Sequence, residues 1–184
     1  MPSYCEVSRG HPVHGPHHDL EYGRPVADDV VLFERIAMEI MQAGLSWLLV
    51  LNKRAGLNAA FRGFDPDAVA RFGTRDVTRL LADEGIIRNR RKIEAIIENA
   101  RRVKEIRAAY GSISGFLDAH HPLRLPEWVK VMKKTFVFMG PEVVNEFMMS
   151  TGYLPGAHLE ICPQFREIAR LRPKWMQATP PGGW

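Results

Sequence analysis

Near one end of the chain, the stretch GAHLEIC places His158 four residues before Cys162. A histidine and a cysteine at that spacing reach the same side of a helical turn and can bind one metal ion together. The other cysteine, Cys5, lies near the opposite end, upstream of the cluster HGPHHD with its His14, His17 and His18. Two cysteines so placed do not read as a disulfide framework. One cysteine and one histidine from each end would complete a closed tetrahedral Cys2His2 site of the structural kind. Such a site would tie down residues 1–26, which carry little apolar content of their own. Spacing alone leaves His11, His14, His17 and His18 open as the fourth ligand.

A second chemical signal lies mid-chain. LLADEGIIRNRRKIEAIIENA reads as a short helix, a glycine-containing hairpin and a long helix whose start is crowded with Arg88, Arg90, Arg91 and Lys92. The start of a helix presents unpaired N–H groups and the positive end of the dipole, so cations there are disfavoured unless an anion arrives. A phosphate is the economical partner. The layout, over 77–100, resembles the helix-hairpin-helix element that grips a DNA backbone without reading its bases, the alternative being a solvated basic face. The third signal is Glu39. On a helical wheel it falls at the margin of an apolar stripe, where a carboxylate is partly desolvated and costly unless paired.

The elements that must position these residues read as helices. ADDVVLFERIAMEIMQAG repeats apolar residues at three- and four-residue spacing. Ser46 is a good N-cap for a second helix ending near Gly63, and Asp65–Pro66 opens a short one. TRDVTRLLADEG predicts a helix capped at Gly85, and NRRKIEAIIENARRVKEIRAAYG a long one with Ile93, Ile96, Ile97, Ala100 and Val103 buried. Further helices are expected over 114–120, 126–134 and 141–151. Residues 1–26 read as an irregular cap. TFVFMG is the best strand candidate, and six residues cannot form a sheet alone. The fold class is therefore all-α, one domain over 1–184, with 163–184 an extension of no assigned role.

Length and composition agree. The 184 residues are 46% hydrophobic and 25% charged, with a net charge of +4. That is enough to build a core and is compatible with a polyanionic partner. No apolar run is long enough for a membrane span and no signal-peptide centre is present, so the expected compartment is the cytoplasm.

Taken together, these motifs resemble the bacterial DNA-3-methyladenine glycosylase I family, from about Cys5 to Cys162. The carriers are C-x12-H-D-x-E-Y-G from Cys5 to Gly23, LFE at 32–34, E-x2-QAGLSW from Glu39 to Trp47, FDP at 64–66, GIIR-x-R-x-KI-x-AII-x-NA over 85–100, and the closing H-x3-C.

The resemblance implies a structural zinc held by Cys5, His18, His158 and Cys162. It implies excision of 3-methyladenine from alkylated double-stranded DNA by a monomer associated with the nucleoid, with the free base as product. Glu39 takes the role of the carboxylate that meets the extruded base, and Trp47 that of its stacking aromatic. Gly44 and Leu45 belong to the turn facing the gap in the duplex. Gly85, Arg88, Arg90, Arg91 and Lys92 belong to the backbone grip. His14 and His17, with Val7, stand where the family places aromatic residues, which assigns both histidines to base binding. Gly156 stands where other helix-hairpin-helix glycosylases carry a catalytic Asp. Two alternatives are a related glycosylase of altered base preference and a zinc-stapled DNA-binding protein without catalysis.

Overall fold

The structure is a computed structural model and describes residues 2–184. Among them there are helices and no strand. Residues 4–20 are not irregular. They form α1 (Tyr4–Ser8) and α2 (His14–Leu20). α1 is closed by a capping box, the Ser3 hydroxyl accepting from the Glu6 amide and the Glu6 carboxylate accepting from the Ser3 amide. That local chemistry, not an apolar stripe, makes the first helix.

α3 (Asp29–Gln42) is the central strut. Leu32, Phe33, Ile36, Ala37, Ile40 and Met41 are fully buried, and the helix is packed by α4 (Trp47–Ala60), α7 (Arg90–Tyr110), α8 (Ile113–His120) and α10 (Pro141–Ser150). The expected stripe of α7 is buried too. Between α4 and α7 run a 3-10 turn (Arg62–Phe64), α5 (Pro66–Val69) and α6 (Thr74–Ala82). Asp65 caps α5 and Pro66 occupies its first position, as expected. Arg107 of α7 bonds Asp29 at 2.6 Å and Asp67 at 2.9 Å, joining α3 and α5 to the long helix.

α9 (Leu125–Thr135) precedes TFVFMG, which is not a strand. Its backbone is satisfied by a side chain: Asn99 donates to the Val137 carbonyl at 3.1 Å and accepts from the Val137 amide at 2.8 Å. A polar side chain on α7 thus takes the part a neighbouring strand would have played. α11 (Pro163–Leu171) and α12 (Lys174–Gln177) fold back onto the body. Ile168 is buried, the Trp175 amide donates to the Gly152 carbonyl, and Lys174 bonds Asp118.

The hairpin differs from expectation at its first corner. α6 ends at Ala82 with Asp83 as its C-cap, and the Asp83 carboxylate accepts from the Gly85 amide at 2.7 Å. Gly85 serves packing instead. A Cβ on Gly56 of α4 would overlap the Gly85 carbonyl, so the two backbones touch. Lys53, one turn earlier on α4, donates to the Glu84 carbonyl at 2.7 Å. Gly56→Ala is therefore expected to push the hairpin off α4, costing about 1–3 kcal/mol in thermal or urea unfolding and weakening DNA binding.

Candidate active site and metal centre

The QAGLSW turn sets the site. Gly44 takes φ +78, a left-handed conformation suited to glycine, and the Leu45 amide donates to the Gln42 carbonyl. Ser46 then caps α4 by accepting from the Leu49 amide. The bend carries the chain from Glu39 near the end of α3 to Trp47 at the start of α4. Both side chains line one cavity of about 180 Å³, together with Tyr4, Tyr22, Gln42 and Glu146.

Glu39 is 5% exposed, deeper than its place on the helical wheel indicated. Among the described residues neither of its carboxylate oxygens has a hydrogen-bond partner. Burial pushes its pKa up to about 8, helped by the nearby Glu146 carboxylate and opposed by Arg35. Arg35 does not reach it with a hydrogen bond. Its guanidinium donates to the Ser150 and Glu21 carbonyls, and Glu21 with Glu34 holds Arg54 in a network under the cavity. That network locks α3, α4 and the end of α2 into one frame.

His14 and His17, expected to bind the base, do not line this cavity, although His17 borders a small adjoining space with Glu39 and Trp47. They are buried one layer behind the cavity wall. His17 Nδ1 accepts from the Tyr4 hydroxyl at 2.9 Å and lies 3.4 Å from Trp47 Nε1. Burial lowers its pKa to about 4, so the ring is neutral and orients the two aromatic groups in front of it. His14 lies edge-on to Tyr4. Val7 is exposed. The aromatic face expected after Cys5 is supplied from before it, by Tyr4. Tyr22 stood in the sequence motif and Gln42 in the turn motif, whereas Tyr4 gave only its adjacency to Cys5 and Glu146 gave no signal.

Leu45 and Gly44 are exposed at the turn, and Gly85, Arg88, Arg90 and Arg91 are exposed on the hairpin. Lys92 is not part of that surface. It is 4% exposed and its ammonium donates to the Met41 carbonyl at 2.7 Å and the Ala43 carbonyl at 2.6 Å. The reason is geometric: α7 passes directly behind the QAGLSW turn, whose carbonyls would otherwise be orphaned.

The four expected metal ligands come together. Donor atoms of Cys5, His18, His158 and Cys162 all lie within 4.8 Å of one another. Cys162 Sγ is 3.8 Å from His18 Nε2 and 3.7 Å from His158 Nδ1, and Cys5 Sγ is 3.8 Å from His158 Nδ1. The edges of a tetrahedral site with thiolate and imidazole ligands are about 3.5–3.8 Å. The outer nitrogens are fixed as well. His18 Nδ1 donates to Asp19 at 2.7 Å, and His158 Nε2 donates to the Tyr22 carbonyl at 2.8 Å. Both imidazoles therefore present an unprotonated nitrogen to the shared centre. The residues fit a metal ion.

An all-helical frame, an exposed basic hairpin and an aromatic cavity with an unpartnered carboxylate are the marks of the DNA glycosylase class. The sequence profile described as methyladenine glycosylase matches residues 7–125. The chain belongs to the methyladenine glycosylase family. It is 36% identical over 166 residues to a DNA-3-methyladenine glycosylase of Haemophilus influenzae, covering 80% of this chain and 89% of that one. Over 90 residues it is 52% identical to DNA-3-methyladenine glycosylase 1 of Escherichia coli, covering 49% and 48% of the two chains. The solved structure of 3-methyladenine DNA glycosylase I from Staphylococcus aureus superposes with a TM-score of 0.80 at 32% identity, covering 88% of this chain and 95% of that one. A related structure, with 33% identity and a TM-score of 0.80 over 88% and 96% of the chains, is a complex with 3-methyladenine.

Proposed function

We propose that this chain hydrolyses the N-glycosidic bond of 3-methyladenine in alkylated double-stranded DNA, acting as a monomer without forming a covalent link to the sugar. The observation that supports it most is the unpartnered Glu39 carboxylate beside Trp47 in a cavity of about 180 Å³ at the QAGLSW turn. A base reaches such a cavity by leaving the stack. Trp47 supplies a face for stacking, and Leu45 is exposed where it can fill the gap left behind. Arg88, Arg90, Arg91 and the backbone around Gly85 hold the phosphates and set register without reading sequence.

Alkylation at N3 makes the adenine cationic and a good leaving group. The chemistry then needs little acid catalysis, in keeping with Gly156 where other glycosylases carry Asp. As the C–N bond breaks, the bonding electron pair goes to the base and neutralises its charge, while positive charge develops on the sugar. A water molecule adds to the anomeric carbon and loses a proton. Glu39 holds the base by accepting its N–H groups and favours the cationic form. Cys5, His18, His158 and Cys162 would hold a zinc ion in a structural role. It would tie both ends of the chain together and offer no open position to substrate. No helix is long and apolar enough to cross a membrane, and a DNA substrate places the protein with the nucleoid in the cytoplasm.

The test is release of free base from methylated duplex DNA, with products identified by mass. Release of 3-methyladenine is expected. Release of a different base instead would favour altered specificity, and binding without release would favour a DNA-binding protein that lacks catalysis.

A further inference from the structure

The cavity holds a second carboxylate that the mechanism above does not use. Glu146 projects from α10, which packs on α3. It lines the same cavity as Glu39. Tyr22 donates its hydroxyl to Glu146 Oε2 at 2.9 Å, and Oε1 has no protein partner among the described residues. No lysine or arginine lines the cavity. Glu39 is faced by Glu146 from α10, by Arg35 from its own helix, and by the neutral Tyr4 and Tyr22 hydroxyls. Glu146 is faced by Tyr22, by Glu39 and by Glu142 on its own helix. Arg35 is committed to the Ser150 and Glu21 carbonyls behind the wall. Two acidic groups therefore share one small cavity whose wall carries no lysine or arginine.

We propose that Glu146 is a second, specificity-determining carboxylate, and that with Glu39 it forms a two-carboxylate cage selecting a purine that carries one positive charge over its neutral parent. The inference rests on the reading that an extruded base fills this cavity. Burial holds both carboxyl groups above the ordinary glutamate range, with Glu146 adding to the effect on Glu39, and a cation entering between them favours their ionised forms. With acceptor oxygens on both walls, and an O–H wherever a carboxyl keeps its proton, the cage offers donor and acceptor side by side. That pattern complements a purine edge on which an amino group sits next to a ring nitrogen. A neutral base gains nothing from the negative charge and leaves it uncompensated.

The probes are 3,9-dimethyladeninium, a permanent monocation shaped like the alkylated base with its glycosidic position filled, and neutral 9-methyladenine. Equilibrium binding is followed by quenching of tryptophan fluorescence. Wild type is expected to bind the cation at least about tenfold more tightly than the neutral base. Glu146→Gln keeps the shape and an oxygen acceptor for Tyr22. It is expected to lose about tenfold in affinity for the cation and none for the neutral base, while Glu146→Asp, which keeps the charge, retains the preference. A wild-type preference below tenfold overturns the proposal whether or not the variants fold. So does a Gln variant with an unchanged preference and an unchanged melting temperature, which would leave Glu146 as an anchor for Tyr22 alone. Base release from methylated DNA is measured in parallel. Selective cation binding by a wild type that releases no base refutes the hydrolase and upholds the cage, whereas normal release without selectivity does the reverse.

Discussion

Glu39→Gln is expected to lower release of 3-methyladenine by about 100- to 1,000-fold, the range seen when one preorganised polar group is removed from a water-poor site. Gln keeps the shape of the side chain and one acceptor oxygen. It removes the negative charge that balances the cationic base, and it presents an amide donor where the base also donates. The variant should still bind duplex DNA, because the hairpin arginines are untouched. A loss below tenfold would remove Glu39 from the chemistry. The same substitution is expected to stabilise the fold. In the unfolded chain Glu39 titrates near the ordinary glutamate value, and in the folded protein near 8, because burial and Glu146 outweigh Arg35. Between those values the unfolded chain gives up a proton that the folded one keeps, so wild-type stability falls as pH rises through this window. Gln carries no such penalty. The melting temperature of the variant should match wild type near pH 4 and exceed it increasingly up to pH 8, with a difference of about 1–3 kcal/mol. Lost activity with raised stability would mark Glu39 as a group kept for function.

Removal of the metal is the second large effect. Purified protein should carry one zinc ion per chain by elemental analysis, and chelation or Cys162→Ser should lower the melting temperature by about 10 °C or more. The cysteine and histidine pairs come from chain ends more than 130 residues apart in the sequence, so an ion bound there would close a very long loop. It also reaches the base cavity. Tyr4 adjoins the ligand Cys5, and the Tyr22 carbonyl accepts from the ligand His158. Affinity for free base should therefore fall with the melting temperature on chelation. Protein that carries no metal and melts unchanged in chelator would dismiss the staple.

Much of this fold was legible because its helices follow simple periodicity. The apolar repeats of α3 and α7 are buried as read, and Asp65, Ser46 and Pro141 open helices where their chemistry requires. Local pattern missed whatever depended on a distant partner. TFVFMG alternates like a strand but is held by Asn99, 38 residues away. The N-terminal helices lack an apolar stripe and rest on a capping box and aromatic packing around Tyr4. Spacing pointed to Cys5, His158 and Cys162 as a cluster, whereas the choice of His18 and the pairing of Glu39 with Trp47 came from the family resemblance, and the structure brings each set together. Glu146 was not readable, since a carboxylate on α10 becomes meaningful only when tertiary packing sets it beside Glu39. His14 and His17 were read from the identities expected at their positions. A ring placed before Cys5 can fill the space that a ring after it would have filled, and sequence order does not reveal that exchange.

Lys92 looks like a fourth cation on the hairpin, yet its charge is used indoors, on two carbonyls of the turn. An ammonium so engaged displaces no ions from a duplex. On the proposed grip, the hairpin's share of the ionic-strength dependence of DNA binding is expected to come from Arg88, Arg90 and Arg91, each phosphate contact adding about 0.9 to the slope of log affinity against log salt. Lys92 instead ties the start of α7 to the end of α3 and the turn after it, joining the hairpin directly to the rim of the cavity that Glu39 and Trp47 line.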